Sequence, residues 1–265
     1  RSELLSFLAS ADMRPRYWHW LILTPLHLIK RYLLWEIPMR RTVSSIILVT
    51  PTIEGDFRTF CKEKVQVIEN GITLPEKEMQ KNSGDTLRLL CTGRADRQKG
   101  FQMAIRAMEK LPNLDLHLDI VGTGDYLSEL KRLVEGMGLS ERVTFRGRVD
   151  DDELYRIYSS ADVYLIPTLR YEGLPLALLE AMAHGIPTIS SDIGGNSDVI
   201  THEKDGLFVR PGDLEGLVDA ISLLATNSEV RDSLGKAARE TTERRFDKER
   251  MVSDTEEVLR RITST

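Results

Sequence analysis

The sequence predicts an α/β fold with a doubly wound parallel sheet, and two observations carry that expectation. From about residue 85, short runs rich in Leu, Val and Ile alternate with longer segments of helical periodicity. Such alternation implies βαβ units, and apolar runs of this kind belong in a parallel sheet covered by helices on both faces. Right-handed crossovers then wind the helices onto the two sides.

The elements follow in order. The predicted strands are 87–93 (LRLLCTG), 116–122 (LHLDIVG), 143–147 (VTFRG), 163–168 (VYLIPT) and 188–192 (TISSD), with 206–209 (GLFV) as a sixth. Helical patterns at 100–110, 125–138, 152–161 and 175–185 fill the gaps. Two amphipathic helices follow near 213–226 and 229–245, and a last one near 248–262. Residues 85–246 therefore read as one complete Rossmann-like domain, with 247–265 as a helix crossing back towards the amino-terminal part.

Upstream the pattern changes. The segments 46–51 (IILVTP) and 65–71 (VQVIENG) read as strands bracketing a helix that holds Phe57 and Phe60. Asn70-Gly71, Pro75 and the polar run EKEMQKNSGD mark a linker, assigned to 73–84. Residues 1–72 are too few for a second domain of this kind and read as the tail of one. Within them, 17–37 combines Trp, Tyr and Leu with Lys and Arg. A core helix with snorkelling basic ends is the leading reading, and peripheral contact with a membrane interface is the other.

Composition limits the function. The chain has 265 residues, 41% hydrophobic and 29% charged, which is ordinary globular usage. A net charge of −5 argues against a general nucleic-acid binder, although residues 1–50 hold seven basic and three acidic side chains. Cys61 and Cys91 lie in apolar stretches and read as buried thiols of a reducing, cytoplasmic compartment. No secretory signal or membrane-spanning run is visible. The chain begins at Arg1 rather than Met, and is expected to start inside a longer gene product.

Two segments carry most of the chemistry. GRADRQKG (Gly93–Gly100) falls where a strand ends and a helix begins, at the edge where doubly wound sheets bind ligands. Arg94 and Lys99 stand five apart across this loop, so a bidentate fork and a mobile point charge can converge on linked phosphates. A solvated basic turn is the plainer alternative. YEGLPLALLEAMAHG (Tyr171–Gly185) is the strongest signal. Pro175 suits a first helical turn, where its missing N–H costs nothing, which leaves the N–H groups of Leu174 and Leu176 and the helix dipole to receive a phosphate. Glu180 is the lone charge in an apolar helix, with Ala177 and Ala183 leaving room beside it. A buried carboxylate needs a partner, and ribose hydroxyls would serve. A Glu pointing outward from an edge helix, or paired with an internal Arg, is the alternative.

Weaker signals are Gly122 and Gly124 in IVGTGDY, Gly147, Arg148 and Val149 in the FRGRV loop, and the DIGGNSD turn at 192–198. Asp150–Asp152 open a helix, so capping explains them better than a metal does. The five histidines show no ligand spacing, and neither a GxSxG elbow nor a P-loop is present.

Taken in order, VIENGI (67–72), GRADRQKG, IVGTG, the pair Glu172 and Glu180, and GLFVRPGD (206–213) resemble motifs of retaining GT-B glycosyltransferases. The closest group is glycosyl transferases group 1, family four, and the resemblance covers about residues 43–262. It implies a UDP-, GDP- or ADP-sugar donor, no metal, and transfer to a hydroxyl of a glycan or lipid-linked glycan in polysaccharide biosynthesis. By that resemblance Arg94, Lys99 and Glu172 act at the reacting centre. Gly93, Gly122, Gly147, Arg148, Val149, Gly173, Leu174, Pro175, Leu176 and Glu180 hold the nucleotide-sugar. Thr73 and Asp198 depart from the family pattern, as does Ala11 if ADMRP (11–15) aligns with its HDLxP segment. The resemblance also implies an acceptor-side domain of which this sequence holds only a part, the rest expected in cis or in trans. A non-catalytic nucleotide-sugar-binding remnant is the alternative function.

Overall fold

The structure is a computed structural model that describes residues 42–61, 63–75 and 86–264. The readings placed on 17–37, on ADMRP and on most of the linker lie outside the described residues. The chain divides into two units, Arg1–Ile46 with Asp56–Val65, and Ile47–Gly55 with Gln66–Thr265. In the first, the Ile46 N–H donates to the Lys64 carbonyl at 2.7 Å. In the second, the Ile68 N–H donates to the Leu48 carbonyl at 2.9 Å. These bonds belong to a two-stranded sheet of β1 (Ile46–Leu48) and β2 (Val65–Val67), which bracket α1 (Glu54–Cys61).

The second unit holds the expected parallel sheet. Its strands are β3 (Leu87–Thr92), β4 (Leu116–Val121), β5 (Val143–Gly147), β6 (Val163–Ile166), β7 (Thr188–Ser191) and β8 (Leu207–Val209). Their order is β5-β4-β3-β6-β7-β8, every pair parallel. The chain therefore winds outward from the centre in both directions, and β3 and β6 lie side by side at the switch point.

Alternation along each strand feeds two cores. Leu87, Leu89 and Cys91 of β3 and Val163 and Leu165 of β6 face one side. That side is closed by α2 (Phe101–Lys110), α3 (Leu127–Gly136) and α7 (Leu214–Thr226). Leu90, Tyr164 and Ile166 face the other, against α4 (Asp151–Ser160), α5 (Leu176–Ala183) and α8 (Ser228–Arg245). Burial on both faces is why these strands read as apolar runs rather than as strict alternation, with Arg88 the one charge in β3. It also raises the Cys91 thiol far above its ordinary pKa, keeping it protonated.

The caps follow the polar residues flagged in the sequence. Asp150 accepts from the Glu153 N–H at 2.8 Å and opens α4. Asp213 and Asn227 cap α7 and α8 in the same manner. Asp247 caps α9 (Lys248–Thr263) through the Glu249 N–H. Where α9 begins, Ile72 makes a parallel bridge to Asp247. Its N–H donates to the Phe246 carbonyl at 2.8 Å, and its carbonyl accepts from the Lys248 N–H at 3.0 Å. Gly71 is required there, because a Cβ would lie 2.6 Å from the Asp247 carbonyl oxygen.

Two differences from expectation are small. A single helical turn, α6 (Asn196–Val199), follows the glycine pair of the 192–198 turn and is too short to show a period in sequence. Pro175 is the N-cap of α5, with φ −77° and ψ 113°, rather than a residue of its first turn. Gly136 ends α3 with open space around its Cβ position and no positive φ. Gly136→Ala is expected to stabilise the protein by about 0.5–1 kcal/mol, read as a raised denaturation midpoint, because it narrows the unfolded ensemble.

Candidate functional site

Two loops leave the carboxyl ends of β3 and β6 and meet across the switch point. The first runs from Gly93, where φ is 133°, through Asp96, which accepts the N–H bonds of Gln98 (2.9 Å) and Lys99 (3.0 Å). Those bonds shape a short 3-10 turn, Arg97–Lys99, ahead of α2. Burial alone would raise the Asp96 carboxyl; the N–H groups of Lys99 and Gln98 and the Arg94 guanidinium outweigh it and hold the group below its ordinary pKa.

The second loop is stitched to the first at three points. The Gln98 carbonyl accepts from the Leu169 N–H at 2.7 Å and from the Thr168 hydroxyl at 3.1 Å. Gly100 packs so closely on Pro167 that a Cβ would sit 1.8 Å from its carbonyl oxygen. Lys99 Nζ meets Glu172 Oε2 at 2.8 Å, with the two side chains 25% and 13% exposed. Glu172 Oε1 lies 3.1 Å from the Thr168 hydroxyl, which is fully buried. Lys99 and Glu172, 73 residues apart in sequence, are thus one ion pair.

Arg94 is placed differently. Its head pairs with Asp96 at 3.3 Å and is 72% exposed, whereas the Lys99 head is held by Glu172. Gly93, Gly122 and Gly147 lie against one another by their backbones. A Cβ on Gly122 would stand 1.9 Å from the Gly93 carbonyl oxygen, and the Gly122 N–H donates to the Gly147 carbonyl at 2.7 Å. Arg148 is exposed and Val149 packs on the second core.

Beyond Glu172, Gly173 is exposed and Leu174 is buried in the second core, which anchors the turn. Pro175 caps α5 without a side-chain bond, and Leu176 is exposed at its start. The ladder begins only with the Leu178 and Leu179 N–H groups on the Pro175 carbonyl, so the N–H groups of Leu176 and Ala177 lead the helix towards the loop. The Gly194–Gly195 turn is pressed against this segment. The Gly195 N–H donates to the Glu172 carbonyl at 2.9 Å, and a Cβ on Gly195 would fall 1.9 Å from the Gly173 carbonyl oxygen. Asp198, one turn later, accepts from the Thr50 hydroxyl and from the Thr52 hydroxyl at 2.6 Å.

Glu180 has an internal partner. Its Oε2 accepts from the Tyr158 hydroxyl at 3.0 Å. The Tyr158 hydroxyl lies 3.0 Å from Thr92 Oγ1, which in turn lies 2.9 Å from the Tyr164 hydroxyl. Burial foremost, with the Glu180 charge adding to it, raises both phenols above their ordinary pKa. The His184 ring stacks on Tyr158 at 5.1 Å between centroids, and its Nδ1–H donates to the Glu180 carbonyl at 2.8 Å. Burial lowers the His184 pKa; the bond to the Glu180 carbonyl opposes that, and the Arg239 charge adds to it.

Thr168, Tyr158 and Gly195 are the contributors that sequence reasoning missed as site residues. Only Gly195 had a signal, as half of a glycine pair. Among the described residues no group of three or more His, Cys, Asp or Glu is placed to hold a metal ion, and no helix is long and apolar enough to cross a membrane.

Comparison with known proteins gives the family and the fold. The family model for glycosyl transferases group 1 matches residues 75–241. The chain is 36% identical to a sulfoquinovosyl transferase of Arabidopsis thaliana over 155 residues, 57% of this chain and 29% of the relative. It is 32% identical to a GDP-mannose-dependent phosphatidylinositol monomannoside mannosyltransferase of Mycobacterium tuberculosis over 168 residues, 59% of this chain and 43% of the relative. The chain thus spans less than half the length of these two curated relatives. Among solved structures, HepE of Anabaena in complex with UDP superposes with a TM-score of 0.73 at 21% identity, covering 86% of this chain and 65% of HepE. At that identity the likeness is one of fold, and it is the GT-B fold. With the family model matched across the sheet and its site loops, the chain belongs to the glycosyl transferases group 1 family.

Proposed function

We propose that the chain carries the donor site of a retaining, metal-independent glycosyltransferase. The observation that carries this reading is the Lys99–Glu172 pair, set across the switch point beside the uncapped start of α5. A nucleoside diphosphate has two needs there. Its phosphates need positive charge and N–H donors, which Lys99, Arg94 and the leading N–H groups of α5 supply. The sugar needs polar groups for its hydroxyls, which Glu172 supplies. Gly93, Gly122 and Gly147 let backbone and ligand approach closely beside β3, β4 and β5. Two relatives lend support: HepE was solved with UDP, and the mycobacterial enzyme is named as GDP-mannose-dependent.

In transfer, the bond from the anomeric carbon to the diphosphate oxygen breaks and its electron pair leaves with the nucleoside diphosphate. Lys99 and Arg94 stabilise the charge that grows on that oxygen, the part a divalent ion plays elsewhere. The acceptor hydroxyl, of a glycan or lipid-linked glycan, attacks from the same face, and its proton passes to the departing diphosphate. No protein nucleophile is required.

Calorimetric titration of the full chain with UDP, GDP and ADP, EDTA present throughout, tests the donor site. One of the three is expected to bind, with the other two weaker by about tenfold or more, in proportion to the missing base contacts. Absence of binding by all three under these metal-free conditions overturns the reading.

A further inference from the structure

We propose that Tyr158 is a positioning residue that fixes the Glu180 carboxylate for ribose recognition, at the end of a one-way hydrogen-bond chain that starts at Tyr164. The inference rests on the donor-site reading and extends it to residues outside the motifs. The Tyr158 hydroxyl has two neighbours that can only accept, Glu180 Oε2 at 3.0 Å and the Ala177 carbonyl at 3.4 Å, and the nearer, charged carboxylate takes the proton. The Tyr158 oxygen then accepts from Thr92 Oγ1, and Thr92 Oγ1 accepts from the Tyr164 hydroxyl. Each hydroxyl donates once and accepts once, and the direction is set at the Glu180 end, where both neighbours of the Tyr158 hydroxyl can only accept.

The chain starts from rigid elements. Tyr164 is fully buried in β6 and Thr92 closes β3, so the two strands of the switch point feed it. Tyr158 is itself buried, and the His184 ring stacked on it also holds the Glu180 carbonyl through Nδ1. Glu180 is therefore gripped at its main chain and at one carboxylate oxygen. Its Oε1 takes no hydrogen bond from the described residues, leaving that oxygen for a vicinal diol of the ligand. Such chains polarise along their length, which strengthens the last bond, the one at Glu180.

The test compares UDP with its 2′,3′-dideoxy form by calorimetry, or the corresponding GDP or ADP pair if that base is the one bound. The wild-type chain is expected to prefer the natural nucleotide by about tenfold or more, as a hydrogen bond to a charged group allows. Glu180→Ala should bring the ratio to about one. Tyr158→Phe should lower it to roughly threefold or less while the dideoxy affinity stays within about twofold, and should add nothing in the Glu180→Ala background. A ratio kept at its wild-type value in Tyr158→Phe, equal weakening of both ligands, or additive losses in the double variant would each overturn the proposal. If Tyr158→Phe does not fold, Thr92→Val removes the feeding hydroxyl at constant size. A lowered ratio then supports the chain and an unchanged one overturns it. Failure of the donor-site reading looks different: no nucleotide binds the wild-type chain, or Glu180→Ala leaves the ratio intact.

Discussion

Lys99→Ala is expected to lower kcat/KM for sugar transfer by about 10²–10³-fold, the usual consequence of removing one preorganised charge from the departing group. Nucleoside diphosphate affinity should fall by roughly 10- to 100-fold, while the bare nucleoside binds as before. Two effects combine in that loss. The attraction between ammonium and diphosphate disappears, and Glu172 is left with the Thr168 hydroxyl and no cation. A carboxylate only 13% exposed and stripped of its cation repels an incoming diphosphate. Adding Glu172→Gln to Lys99→Ala removes that repulsion, so the double variant should recover part of the nucleotide affinity though not the transfer rate. Equal loss for nucleoside and diphosphate would take Lys99 out of the phosphate site.

Gly195→Ala is the second large effect, and it acts without touching a charge. The added Cβ would meet the Gly173 carbonyl oxygen at 1.9 Å and its carbon at 2.5 Å. Both are main-chain atoms and cannot rotate aside, so the Glu172–Gly173 turn must shift or the Gly195 bond to the Glu172 carbonyl must break. Overpacking of this kind costs about 1–3 kcal/mol. At roughly 2–4 °C per kcal/mol for a chain of this size, melting should fall by about 2–12 °C. Nucleoside diphosphate binding should weaken by at least about tenfold, because displacement of roughly 1 Å at a positioning group is costly. Gly136→Ala, far from any neighbour, serves as the control for a glycine replaced without contact. A Gly195→Ala protein with unchanged melting and nucleotide affinity would show that the turn can relax freely.

The sheet was legible because burial on both faces leaves a mark that needs no neighbour. The runs 87–93 and 163–168 are apolar at consecutive positions, and β3 and β6 fall inside them. Glu180 stood out for the converse reason, as the one charge in an apolar helix, whereas Glu172 entered only with the resemblance. What could not be read was adjacency. Thr168 is a site residue only because β6 lies beside β3, which brings it to the Gln98 carbonyl from 70 residues away. Tyr158 faces Glu180 only because α4 and α5 cover the same side of the sheet. The internal partner expected for a lone Glu was an arginine; a phenol supplies it instead, which no charge pattern announces. Arg94 was read from spacing to share an anion with Lys99; its partner here is Asp96, two residues along the chain.

The bridge between Ile72 and Asp247 fixes how the domain responds to force. The chain enters at residue 71 and leaves at residue 248 through a single parallel contact. Tension applied between those two points pulls the bridging segments in shear, so both main-chain bonds of Ile72 share the load and must fail nearly together. Until they do, the sheet and the loops after β3 and β6 lie off the load path. Gly71 makes this mechanical short-circuit possible, since any side chain there would hold the two segments apart.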